Sequence, residues 1–433
     1  MTRNPLFRLA AAIAVAALLA CNQLLDVNAT DRVPAELFDD PAQASLMVNS
    51  AVGDFECGIG SFVVVEAIIS DEFSDAQLGA AAWPYDRRDA NTQPGGIYGT
   101  NPCTSNQNPG VYTPMSTARW SADHALTKLQ AWTDQQVPGR GALMARSALY
   151  AGFSYSLMGM AMCQAAFDLQ APIDQPAMFA LAEDRFTTAI GEATTAGLAS
   201  VVNAGLVGRA RVRLFRGDLP GAAADAQLVP AGFELDASAS SDDNRRFNRV
   251  NAVTTFFGFY TVDTMSRRLR VGPTVFVPGG DSTGFVLDPR SKADSTPTRA
   301  ADGVQKIYQP AKYPSRDTPI PIAHYEEAQL IVAEAQGGAN AVTIINALRD
   351  AQSLPHYTGP TDAASITQLI ADERRRVLFV EGFRNYDMQR FNLPLLPAPG
   401  TNYPSKGGTY GNTTCLPLPD IERFNNPNAS ASR

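Results

Sequence analysis

A chain of 433 residues, 45% hydrophobic and 18% charged, is long enough for two or three ordinary domains or one large one and can bury a substantial core. Its 35 basic and 43 acidic residues leave a net charge of -8, so there is no overall field to attract phosphate backbones, which argues against nucleic-acid binding. Five cysteines without a C-x-x-C spacing and three scattered histidines (His124, His324, His356) offer no linear metal site; no metal and no other cofactor is expected.

Arg3 and Arg8 precede an apolar run from Leu9 to Ala20. That run is too short to cross a hydrocarbon core of roughly 30 Å, so residues 1–20 read as a signal peptide. It closes on Leu18-Leu19-Ala20-Cys21, which resembles the bacterial lipoprotein box, where the cysteine becomes the lipidated first residue of the mature protein. Several acyl chains, at about 0.8 kcal/mol per buried CH₂, would hold a soluble body on a membrane without a spanning helix. Asn22 rather than aspartate follows; by similarity to known lipoproteins this is no inner-membrane retention signal, and an outer-membrane location is expected.

Thirty prolines and 33 glycines predict helices joined by long connections, since both residues punctuate regular structure. A first helix is predicted from Pro41 to about Phe55, capped by Asp40, with Ala44, Val48, Ala51 and Phe55 on one face. From Gly58 to about Thr117 turn-forming clusters such as Gln93-Pro94-Gly95-Gly96 predict a long loop region, and loops carry function. Ala142 to Leu169 is apolar nearly all round, as in a helix buried within a bundle. Helices with stripes at Phe179, Phe186 and Ile190, then Val201 to Phe215, a Gly217-Asp218 turn and Leu219 to Leu228 follow. The stretch Ala210 to Ala226 looks like a tetratricopeptide unit, which buries its face only against neighbours. Residues 233–321 are irregular, with β-like bursts at Thr274 to Val277 and Gly284 to Leu287; helices resume at Ile322 to Gln336, Ala339 to Gln352 and Ala363 to Arg390.

With Cys21 acylated, four cysteines remain in a compartment that permits disulfides. Cys57 and Cys103 sit in turn-rich segments, and a staple between them would stabilise by a few kcal/mol. Cys163, within an apolar helix, reads as a buried free thiol. Gly280-Asp281-Ser282-Thr283-Gly284 matches G-x-S-x-G, with His324 and His356 downstream, but Phe285-Val286-Leu287-Asp288-Pro289 reads as extended where a nucleophile elbow needs a helix. A turn is expected there, and no hydrolase. Asp71, Glu72 and Asp75 could gather a calcium ion or form a solvated helix edge; the loop lacks the ligand alternation of a calcium site, which favours the edge.

Longer segments carry a family resemblance. Thr318-Pro319-Ile320-Pro321-Ile322, Tyr325-Glu326-Glu327-Ala328, Ile345-Asn346-Ala347-Leu348-Arg349, and Glu373-Arg374-Arg375-Arg376 through Phe379, Glu381-Gly382, Arg384, Asp387 and Arg390 resemble the SusD/RagB family. So do the lipobox followed by Leu24-Leu25-Asp26-Val27, Asp288-Pro289-Arg290, Lys312-Tyr313 and the ending Leu416-Pro417-Leu418-Pro419. The resemblance implies a mainly α fold of tetratricopeptide-like helix pairs with long irregular loop insertions. It places one such domain over 21–433: a loop-rich part (21–140), a helical scaffold (141–232), an irregular insert (233–321), and C-terminal helices and tail (322–433). It further implies a lipid-anchored outer-membrane protein, facing the cell exterior, that does no chemistry and hands an oligosaccharide or a peptide to a SusC-like TonB-dependent transporter. An adaptor lipoprotein binding protein through its helix pairs is the alternative.

In that family the N-terminal loop region and the central insert carry the ligand contacts, so the matched motifs are scaffold. Asp372 with Arg376, and Glu373 with Arg376, are helical pairs worth a few tenths of a kcal/mol if exposed. Glu381, Arg384, Asp387 and Arg390 could form a partly buried network that fixes helix packing. For binding, loop aromatics flanked by polar groups are informative, because a sugar's apolar face stacks on an indole or phenol. Trp83, Tyr85, Arg87 and Asn91 form the best cluster, with Tyr98, Tyr112 and Trp120 as a wider platform; in the competing reading these rings plug the base of loops, Trp120 opening a helix.

Overall fold

The computed structural model describes residues 39–78, 83–90, 101–107, 109–270, 287–403 and 407–429. The leader, Cys21, Asn91, Tyr98, both predicted β bursts apart from Leu287, and the G-x-S-x-G segment lie outside them.

Helix α1, Ala44–Ile69, is entered through a single turn capped by Asp40, whose Oδ1 accepts from the Ala42 N–H. It runs well past the predicted end at Phe55. Gly58 and Gly60 do not break it; they let neighbours in, since a Cβ at Gly58 would stand 2.2 Å from Met115 Cε and one at Gly60 2.9 Å from Arg249 Cβ. The half after them is buried on every side, Ile59 through Ile69, which makes α1 the central rod of the core. Cys57 therefore lies in a helix rather than in a turn, and is bonded to Cys103 with 5.5 Å between Cα atoms.

Strand β1 (Phe73–Asp75) and the short helix α2 (Trp83–Asp86) follow, then α3 (Tyr112–Ala131) and α4 (Arg140–Ala161). α4 ends eight residues before the predicted Leu169 because Cys163 turns away to bond Cys415 and the two-residue ladder β2–β3 (Gln164–Ala165 with Ile173–Asp174) begins. The expectation of a free thiol at Cys163 is thus corrected: a partner 252 residues away cannot be read from the helix that carries it.

Next come α5 (Gln175–Ala196), capped by Asp174 and closed by left-handed Gly197, α6 (Ala199–Phe215) and α7 (Leu219–Ala226), whose cap Asp218 accepts from the Gly221 N–H. Each packs on its predecessor, from α3 through α7, as tetratricopeptide-like pairs do. The α6–α7 turn is latched by Arg209 and Arg213, both on Asp225, at 2.7 and 2.9 Å.

The insert holds β4 (Glu234–Ala237), β5 (Tyr260–Val262), the single turn α8 (Thr264–Arg267), and the hairpin β6–β7 (Ala293–Arg299, Lys306–Pro310). β8 (Ile320–His324) occupies the start of the predicted helix Ile322 to Gln336, pairing antiparallel with β4 so that Glu234 faces His324. Then α9 (Tyr325–Gln336), α10 (Gly338–Asp350) and α11 (Ala363–Val377) form the C-terminal block. The predicted Ala363 to Arg390 helix is two, α11 and α12 (Arg384–Arg390), broken where Val380 and Gly382 take positive φ; at Gly382 a Cβ would lie 2.4 Å from the Phe62 ring of α1. α13, Asp420–Asn425, closes the described chain.

The charged C-terminal residues are buried rather than solvated, so their worth as exposed helical pairs does not apply. Glu373 is held by Arg290 (2.7 Å) and Arg349, and Arg376 by Asp288 (3.2 Å), leaving Asp372 a distant 3.9 Å partner. Asp387 takes Arg374 and Arg390, each at 2.8 Å. Asp71 receives Arg384 at 2.7 Å and Arg375 at 3.0 Å. Burial raises the Asp71 carboxyl, but these two guanidiniums prevail and hold it well below the usual range. Glu72 accepts the Val380 N–H, and Asp75 faces Tyr260 across the β1–β5 ladder. Asp71 and Glu72 are therefore no solvated edge: they tie the end of α1 to the C-terminal helices, while Asp75 joins β1 to β5 and α2.

Candidate binding site at the junction of the loop regions

The N-terminal loop region and the central insert meet because β1 pairs antiparallel with β5, Ser74 opposite Thr261. The contact is stitched by the Ala76 N–H to Phe259 O (2.8 Å) and the Asp263 N–H to Glu72 O (2.8 Å). Thr261 Oγ1 carries the sheet on to β7, donating to Lys306 O and accepting the Tyr308 N–H. Over this junction lies a hollow of about 260 Å³, lined by Ser74, Thr261, Val262, Thr264, Arg267, Gln305, Lys306 and Tyr308.

Its cations are arranged around one aromatic ring. The Arg267 guanidinium sits 4.1 Å from the centroid of Tyr308, and Lys306 Nζ is 5.5 Å from it. Arg267 Nη2 donates to Thr264 Oγ1 (2.9 Å), and among the described residues neither Arg267 nor Lys306 is salt-bridged to a carboxylate. The neighbouring polar groups are already engaged: Ser74 Oγ donates to Asp263, and Gln305 Nε2 to Asp75 O (2.6 Å) and Asp302 Oδ2 (3.0 Å). Free charge in the hollow is thus positive, in a chain of net charge -8.

Beside β1, α2 is strapped to the C-terminal tail. Asp86 Oδ2 accepts from the Asp75 N–H (2.9 Å) and from Tyr403 Oη (2.5 Å); Arg88 donates to Leu396 O and Pro397 O and lies 5.0 Å over the Tyr410 ring. The Gly411 and Thr413 N–H groups bond back to Arg87 O and Arg88 O. Of the predicted cluster, the α2 backbone places Trp83 next to the junction, and Arg87 follows in the turn at its end. Arg87 pairs with Asp89 at 2.9 Å and lies 5.9 Å from the Tyr403 ring.

Tyr85 is a correction: it is 2% exposed, its hydroxyl donating to Pro109 O (3.2 Å), so it plugs the loop base and offers no face to a ligand. Tyr112 is likewise buried, donating to Ala166 O. Trp120 does not open a helix; it lies in the middle of α3, 45% exposed and stacked on His124 at 4.7 Å, and belongs to the face of that helix rather than to the junction. Sequence reasoning missed Arg267, Lys306 and Tyr308. Burial alternates along Lys306-Ile307-Tyr308 as on a half-buried strand, and that period was the available signal.

A second cleft, of about 560 Å³, opens between β8, α9 and α10 and is lined by His324, Glu326, Lys312, Glu381, Gln329 and Gln352 among others. Four of its charged groups are engaged with one another. His324 Nδ1 meets Glu326 and Nε2 meets Glu381, each at 3.0 Å, and Lys312 bonds Glu381. Burial disfavours the imidazolium, yet Glu381 and Glu326 lift His324 to about 10; conversely, against burial, Lys312 and His324 hold Glu381 down to about 2. With both nitrogens engaged, His324 has no free nitrogen with which to serve a nucleophile. His356 bonds Asp350 on an exposed turn.

Comparison of the sequence with protein-family models finds no match, and comparison with curated proteins finds none either. Solved structures do match. A SusD-like carbohydrate binding protein from Bacteroides vulgatus superposes with a TM-score of 0.65 at 14% identity, covering 91% of this chain and 98% of that one. A SusD-like protein from Bacteroides fragilis gives 0.64 at 14% identity, covering 92% and 98%, and a laminarin binding SusD-like protein 0.52 at 16% identity, covering 81% and 91%.

Proposed function

From a SusD-like, mainly α fold, we propose that this chain is the saccharide-capturing lipoprotein of an outer-membrane uptake system. It is tethered by lipids on Cys21, faces the cell exterior, and passes its ligand to a SusC-like TonB-dependent transporter. Residues 21–433 act as one binding unit. The observation that carries this reading is the junction itself: the two irregular regions converge on β1 and β5, leaving a polar hollow beside the short helix that begins at Trp83 and is followed by Arg87. Two structural relatives bear carbohydrate- and laminarin-binding names, which favours an oligosaccharide over a peptide. Arg87 extends the contact surface on the N-terminal side, and Trp83, Asn91 and Tyr98 are proposed as further ligand contacts.

The described residues contain no helix long and apolar enough to cross a membrane, and acylation of Cys21 would supply the attachment such a body needs. The test is a gentle-detergent pull-down of tagged protein from native membranes. Recovery of a large TonB-dependent barrel is expected. A membrane-anchored protein that recovers other proteins and no barrel would refute the uptake role and bring forward the adaptor reading.

A further inference from the structure

We infer that the hollow over β1, β5 and β7 selects an acidic saccharide, one whose carboxylate or sulfate group seats between Arg267 and Lys306. This rests on the saccharide-binding reading and adds the charge of the ligand to it. Arg267 is positioned before any ligand arrives: Tyr308 supports its guanidinium, and Thr264 Oγ1 takes one of its N–H groups. A guanidinium carries five N–H donors in a rigid fork, so the others remain for a planar carboxylate or a sulfate, which Arg binds in bidentate fashion. Lys306, an exposed residue on the strand that also holds Tyr308, adds a second charge on the same ring.

Five arginines elsewhere in the chain make the contrast. Arg211, Arg290, Arg374, Arg384 and Arg390 each face a carboxylate within 3 Å, whereas the two cations of the hollow have none among the described residues. The Ser74, Thr261 and Gln305 side chains hydrogen-bond within the protein, leaving the Arg267 fork, the Lys306 ammonium and the Tyr308 phenol to meet a ligand. At about 260 Å³ the hollow is smaller than the roughly 300–1,000 Å³ of pockets that enclose drug-sized ligands. It therefore admits one charged sugar unit and leaves the rest of an oligosaccharide outside.

The test is titration calorimetry of the full chain in detergent with three probes: a galacturonate trisaccharide, a sulfated galactan tetrasaccharide and a neutral β-glucan tetrasaccharide. One of the two acidic probes is expected to bind most tightly, with affinity falling as salt is raised because the contacts are charged, and which one binds distinguishes carboxylate from sulfate. Lys306→Met and Arg267→Met are each expected to weaken that binding about tenfold, the size of one charge-assisted hydrogen bond. The exposed position of Lys306 keeps its variant folded, so it remains informative if Arg267→Met misfolds. If the neutral glucan binds as well as the acidic probes and Lys306→Met leaves every affinity unchanged, the acidic selectivity is wrong while saccharide binding stands. If neither these probes nor a broad panel of polysaccharides binds, the saccharide reading falls and the inference with it.

Discussion

Glu66 and Glu72 lie in the core, one within α1 and one just past its end, and each carboxyl is pushed up to about 8. For Glu66 burial is the chief cause, opposed by the Asn385 amide on Oε2 and reinforced by the charge of Glu72; its Oε1 has no hydrogen-bond partner. Between 4.5 and about 8 the folded protein keeps a proton on Glu66 that the unfolded chain has released. The native state therefore binds more protons in that window, and stability falls as pH rises through it. At about 1.4 kcal/mol per pH unit, Glu66 alone removes roughly 3 kcal/mol between pH 5.5 and 8. Glu66→Gln keeps an acceptor for Asn385 and removes the titration. Thermal melts of wild type and variant across pH 5.5 to 8.5 should diverge, the wild type losing about 3–6 °C more than the variant, at about 1–2 °C per kcal/mol for a chain of this size. His324, raised to about 10, also sheds stability as pH rises above 6.5, but equally in both proteins, so it cancels. Parallel melting curves would refute the argument that a neutral Glu66 carboxyl is stored in the core.

Two further outcomes follow from the core. Arg211→Ala strands Glu327, whose two oxygens accept from Arg211 at 2.6 and 2.7 Å with both side chains 1% exposed; a loss of about 3–5 kcal/mol in denaturant unfolding is expected. Cys415→Ser opens the bond to Cys163, which joins α4 to the C-terminal tail across 252 residues. A loss of about 2–5 kcal/mol is expected on melting, with one new thiol titrating per chain.

What the sequence made legible was local. Helices α5 to α7 stand close to where the apolar stripes and the Gly217-Asp218 turn place them, because stripes and turns act within a few residues. The family resemblance supplied the fold class and pointed to the two loop regions. What it could not supply depends on partners distant in the chain. Gly58 and Gly60 read as a break, yet they are contact points for Met115 and Arg249. Tyr85 and Arg87 are neighbours in sequence, and only the docking of Pro109 and the tail against α2 buries the first and leaves the second part-exposed. The charges of α11 look like a solvated face until Asp288, Arg290 and Asp71 arrive from elsewhere. Arg267 and Lys306 are ordinary cations on the page; their pairing around Tyr308, and the absence of an acid beside them among the described residues, arise from the β5–β7 contact.

The most direct test of the central claim is hydrogen exchange on the full chain with and without a saccharide that binds it. Ligand is expected to slow exchange in residues 73–78, 83–90, 260–267 and 305–308, the elements that build the junction. Slowing confined to the cleft around His324, or to the helix pairs of residues 175–226, would contradict it.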